Sequence, residues 1–191
     1  MPLKGKIKSN SLIHFITKVR KSELFWIFTF SILTFLSAQV IVPVQPVPFT
    51  LQTMLVLLSG AFLGSRNGAY SQVLYLAAGI IGLPVYAGYS FGIAKLLGPT
   101  GGYLLSFPFA AFLAGYIIEK NKSSIAILIS FLIAGFLILL VGSLYLSYFM
   151  NGNVRQSLYS GLLIFSLWDI IKIAAAFSIY KAFSKKVSKL P

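Results

Sequence analysis

Long, nearly unbroken apolar runs decide what this chain can fold into. A helix that crosses a bilayer needs about 20 mostly apolar residues, roughly 17–25. Six candidate spans are legible, at about 24–42, 50–64, 68–83, 101–118, 124–149 and 158–182. The chain is 58% hydrophobic and 10% charged, where soluble domains carry about a quarter charged residues. A membrane β-barrel would instead alternate polar and apolar residues in strands of about ten. The expectation is an all-α integral membrane protein, a single six-helix domain over 1–191. The second and third runs are short and glycine-rich, so re-entrant segments stay open there as an alternative.

The net charge of +13, from sixteen Lys and Arg against three acids, could suggest nucleic acid. The positions of the cations argue otherwise, because most flank the apolar runs, where positive charge sets topology. Lys4, Lys6, Lys8, Lys18, Arg20 and Lys21 fall in a basic arm over 1–22. Arg66 follows the second run, Lys120 and Lys122 the fourth, and Lys181, Lys185, Lys186 and Lys189 mark the tail around 183–191. The opposite side carries only Lys95 and Arg155. Both termini are therefore expected in the cytoplasm of a multi-pass cell-membrane protein with no nucleic-acid partner. The first apolar run is too long, and lacks the small-residue site, for a cleavable signal peptide.

The sixteenth cation, Lys172, lies inside the last run with Asp169 three residues before it, in SLWDIIKIAAA. That spacing puts both on one helix face. Counted from Ser157, the pair sits some 18 Å deep, near the bilayer centre. A charge there costs at least about 2.5–3.5 kcal/mol, so the two pair with each other or face a polar cavity. A self-neutralising staple between helices is the plain structural alternative.

Catalytic constellations are scarce. There is no cysteine. The single histidine, His14, lies in the basic arm, and one intramembrane acid is too few for an aspartyl protease. No GxxxxGK[ST] loop grips ATP. The reading is no enzyme and no cofactor, but binding or passage of a small molecule. Glycines and alanines at intervals of three or four in SGAFLG, GAYSQVLYLAAGIIGLP and AAFLAG serve close helix packing. Those of AGYSFG and GPTGG instead lie in an aromatic loop suited to a lid, with Gly88 inside it. Tyr70 and Tyr75 fit packing as well as ligand contact.

The run VQPVPFTLQTMLVLLSGAFLGSRNGAYSQVLYLAAGIIGLPVYAG at 44–88, with LLGPTGGYLLSFPFAAFLAGYI at 96–117, resembles the BioY family. These are biotin-binding membrane components of energy-coupling factor (ECF) vitamin transporters. The combined P-x-P-x-T-L-Q-T, Y-L-x-x-G-x-x-G-L-P-V and G-P-T-G-G-Y-L set carries the likeness, and Asp169 with Lys172 fits the family's charged signature. Two departures stand out: the lid reads AGYSFG where many relatives carry more glycine, and FSLWDIIK lacks the Pro and Gly that commonly precede the acid.

The resemblance implies a six-helix bundle with an outward-facing ligand pocket, capped by the 1–2 and 3–4 loops. It implies biotin as transported substrate, and an energy-coupling membrane subunit with ABC-type ATPase subunits as partners. Asp169 would accept a ureido N–H and Lys172 donate to the ureido carbonyl, although the reverse pose, with Lys172 on the carboxylate, stays open. Gln52 would donate and accept just inside the proline hinge, Thr50 would point into the mouth, Tyr86 would cover the apolar ring, and Gly88 would belong to the lid. Docking on the coupling subunit would use small residues of the first helix, here Thr34, Ser37 and Ala38. The alternative is a stand-alone secondary transporter or facilitator for a small organic anion.

Overall fold

The first helix, α1 (Glu23–Ala38), ends where β-branched Val40, Ile41 and Val42 run into Pro43. A residue before proline avoids the helical region, so the expected extension to 42 is lost. The chain forms a two-stranded hairpin instead, β1 (Ile41–Val42) against β2 (Phe49–Thr50), with Ile41 opposite Thr50 and Val42 opposite Phe49. The computed structural model describes residues 22–184. The basic arm, His14, Lys185, Lys186 and Lys189 lie outside the described residues.

Helix α2 (Gln52–Ile80) is broken at Gly64, where φ is 83° and ψ 178°. An L-residue side chain is strained in that region, and glycine is not. The break reverses the chain, because Gln52 meets Tyr75 and Ser59 meets Gln72 across it. The second and third runs are thus an antiparallel helix pair with almost no loop. Glu119 closes the break: its Oε1 accepts from the Ser65 backbone N–H at 3.0 Å and its Oε2 from the Ser65 hydroxyl at 2.9 Å. A side chain at Gly60 would strike the Ala111 carbonyl, and one at Gly115 the Gly64–Ser65 backbone. Small residues here let α2 lie directly on the next long helix.

The remaining elements are the short α3 (Ile93–Leu96), then α4 (Gly101–Lys120) and α5 (Ser124–Leu146). After them come α6 (Val154–Leu158), a π-helical turn (Tyr159–Leu163) and α7 (Ile164–Ser184). The Ser123 hydroxyl caps α5 by accepting from the Ala126 N–H at 3.2 Å, and Asn153 caps α6 by accepting from the Gln156 N–H at 3.0 Å. By length and composition, three helical stretches among the described residues can cross a membrane: Gly101–Lys120, Ser124–Met150 and Val154–Ser184. With α1 and the two halves of α2 they form a six-helix integral membrane bundle.

The inward side of α1 carries Ile27, Phe30, Ser31, Thr34, Ser37 and Ala38, all buried. This corrects the expectation that Thr34, Ser37 and Ala38 offer a docking face, because they are taken up inside the bundle. Thr34 meets Gln72, whose amide also donates to the Ser59 and Ser71 hydroxyls, each at 3.1 Å. The outward side of α1, with Leu24, Phe28, Ile32 and Leu36, is exposed and apolar.

The first half of α2 is short, and the β2 end of the hairpin before it, half-buried at Thr50, brings Thr50 and Thr53 onto the Asp169–Lys172 pair.

Candidate ligand pocket

Asp169 and Lys172 share one face of α7 and form an ion pair, with Lys172 Nζ on Asp169 Oδ1. Only 4% of Asp169 and 8% of Lys172 is exposed. The hinge closes round them: the Thr53 hydroxyl donates to Asp169 Oδ1 at 3.2 Å, and Lys172 donates to the Thr50 carbonyl at 3.3 Å. Lys172 and Thr53 both engage Oδ1 of the carboxylate. Asp169 Oδ2 is buried and has no hydrogen-bond partner. Buried polar atoms are nearly always paired, so an idle carboxylate oxygen marks a place for a donor.

That oxygen belongs to a residue lining a cavity of about 560 Å³, its open mouth included. Its apolar walls come from Tyr103, Leu104, Phe107, Leu139 and Phe165. Tyr103 stacks on Phe165 with centroids 6.1 Å apart, and its hydroxyl donates to the Gly161 carbonyl at 3.0 Å. Phe49 packs behind Phe165 at 4.2 Å, so the hinge also buttresses this wall.

A hydrogen-bonded chain links the hinge to the lid. The Thr50 hydroxyl donates to Gln52 Oε1 at 2.8 Å, Gln52 Nε2 donates to Tyr75 Oη at 2.7 Å, and Tyr75 donates to the Val85 carbonyl at 3.1 Å. Tyr86 is fully buried, edge-on to the Tyr75 ring, and its hydroxyl donates to the Leu76 carbonyl at 2.7 Å. Burial pushes the Tyr86 phenol up to about 12. Gln39, at the end of α1, holds the lid from behind. Its Nε2 donates to the Tyr86 carbonyl at 3.1 Å, and its Oε1 accepts from the Tyr89 N–H at 3.1 Å.

Of the residues singled out from sequence, Thr50, Gln52, Tyr86, Asp169 and Lys172 all line this cavity. Gly88 does not. It sits in the lid turn with φ 69°, and a side chain there would meet only Ile41. Ala87 takes the lining position. Sequence reasoning missed Thr53, Lys95, Thr100 and Phe165, which also line the cavity. A signal existed for Phe165, since 165, 169 and 172 fall on one helical face. Lys95 was legible only as a flanking cation, and Thr53 only as the end of the proline-rich motif. Chemically, the Asp169–Lys172 part of the cavity offers an acceptor beside a cationic donor, next to apolar walls. It suits a compact ligand presenting an N–H next to a carbonyl.

The BioY family model matches residues 9–189. The probable biotin transporter BioY of Pyrococcus horikoshii is 39% identical over 158 residues, covering 83% of this chain and 93% of that protein. The biotin transporter BioY of Thermotoga maritima is 36% identical over 147 residues, 77% of this chain and 86% of that one. Among solved structures, the S-component for biotin from an ECF-type ABC transporter matches with a TM-score of 0.80 at 29% identity, covering 97% of this chain and 95% of that chain. From the helix pair broken at Gly64 to the charged pair on α7, this chain belongs to the BioY family.

Proposed function

We propose that the chain captures biotin in this cavity as the substrate-binding membrane component of an ECF-type uptake transporter. The observation that carries the reading is Asp169 Oδ2, buried and idle beside Lys172, on a residue lining a largely apolar cavity. A ureido ring supplies the N–H that this oxygen lacks, and its carbonyl accepts from Lys172. The apolar thiophane then lies against Phe107, Phe165 and the ring of Tyr86. The carboxylate points back towards Lys95, the other cation in the lining.

Among the described residues, Arg66, Lys120, Lys122 and Lys181 lie at or near the helix ends opposite the lid, whereas Lys95 and Arg155 lie on the lid's side. The cation bias supports a cytoplasmic location for both termini, with the lid outside. In this reading the energy comes from partners: a coupling membrane subunit and ABC-type ATPases. Titration of the detergent-purified chain with biotin, thiamine and riboflavin tests the substrate. Saturable binding of biotin without ATP is expected, and binding of another vitamin in its place would overturn the reading. Biotin uptake by cells that persists without the ATPases would point instead to a stand-alone transporter.

A further inference from the structure

Thr100 occupies the N-cap position of α4 and does not cap it. A threonine there ordinarily turns its hydroxyl onto a first-turn N–H, with extended backbone. Thr100 has φ −87° and ψ −7°, its side chain makes no capping bond, and its Oγ1 is buried without any hydrogen-bond partner. Among the described residues only two buried side-chain polar atoms lack a partner, this one and Asp169 Oδ2, and both residues line the same cavity. Each idle polar atom, on a residue lining that cavity, marks a place for a hydrogen-bonding partner.

We propose that the Thr100 hydroxyl is a ligand-binding group that donates to the carboxylate of the bound molecule. The assignment rests on the biotin reading and adds the atom that meets the ligand's second pole. Three features select an anion at this end. The N-terminus of a 20-residue helix carries partial positive charge. Lys95, five residues before Thr100, lines the same cavity. Asp169, itself an acceptor and accompanied by its own cation, takes the other pole and repels a carboxylate. A hydroxyl released from capping costs the free protein stability, and its bond to the ligand recovers that loss on binding.

The test compares the parent chain, Thr100→Val and Thr100→Ser in detergent, each titrated with biotin and with biotin methyl ester. Val keeps the shape and removes the hydroxyl. Thr100→Val should lose about 10- to 100-fold in biotin affinity, as expected for one bond to a charged group. It should lose much less for the uncharged ester, while Thr100→Ser stays close to the parent for both. Without ligand, Thr100→Val should melt at or above the parent temperature, because an idle buried hydroxyl has been removed. Unchanged biotin binding by the Val variant would overturn the proposal, as would equal losses for acid and ester, or a ligand-free melting temperature below that of the parent. A parent chain that binds no biotin would overturn the substrate reading itself, which is a separate and recognisable failure.

Discussion

The hydroxyl of Thr53 and the carboxylate of Asp169, 116 residues apart in sequence, meet at 3.2 Å. The contact fixes which carboxylate oxygen is left without a partner. Thr53 and Lys172 both engage Oδ1, so Oδ2 is the oxygen left for a donor. Thr53→Val should let the carboxylate turn, lowering biotin affinity roughly tenfold, in line with the loss of one bond to a charged group. Thr53→Ser should retain most of it. Calorimetric titration of both variants decides: equal affinities for Val and parent would show that Thr53 does not orient Asp169.

Gln39 bridges α1 and the lid with both ends of its amide. Gln39→Glu keeps an acceptor for the Tyr89 N–H but loses the donors, and sets a carboxylate against the Val85 and Tyr86 carbonyls. The lid should loosen and biotin dissociate roughly tenfold faster, as expected for one or two lost hydrogen bonds. Association should change little. A chase of radiolabelled biotin measures the rate, and an unchanged release rate would exclude a latch at this position.

Gln52 is held inside the protein by bonds to both Thr50 and Tyr75. Gln52→Ala should therefore lower stability by about 1–3 kcal/mol as well as affinity, because buried partners are stranded. Combined with Tyr75→Phe, the total loss should be smaller than the sum of the single losses. Additive losses in thermal melts would argue against the bond.

What could be read from sequence depended on range. Asp169 and Lys172 sit one helical turn apart, so their shared face and shared cost in a membrane follow from spacing alone. The six apolar runs follow from hydropathy, and the motif set placed Thr50, Gln52 and Tyr86 near a pocket. The join of the second and third runs was not legible, because it depends on Glu119 reaching across from α4 to Ser65. The orientation of α1 was equally hidden: all its faces are apolar or small, and only Gln72 shows which side of Thr34 turns inward. Gly88 was misplaced because a glycine needed for a left-handed turn has the same letter as one lining a site. Thr100 gave no sign of its state, since an idle hydroxyl and a capping one have the same sequence.

Asp169 and Lys172 act as one charge-balanced unit, and a double-mutant cycle separates their binding role from a structural one. Removing either member leaves the other charged and buried in a membrane bundle, which costs several kcal/mol on top of any lost ligand contact. Asp169→Asn and Lys172→Gln should each therefore depress both the melting temperature and biotin affinity. In Asp169→Asn, Thr53 also loses its charged acceptor. The double variant removes both charges, and its two amides can bond to each other, to Thr53 and to the Thr50 carbonyl, so the melting temperature should recover. Affinity should not. A ureido group held by neutral amides forgoes the charge-assisted bonds, which are roughly twice as strong as neutral ones, and no acceptor as strong as Asp169 Oδ2 remains. If affinity returned together with stability, the pair would be a staple between α7 and the hinge, and the ligand's N–H groups would have to be received elsewhere in the cavity.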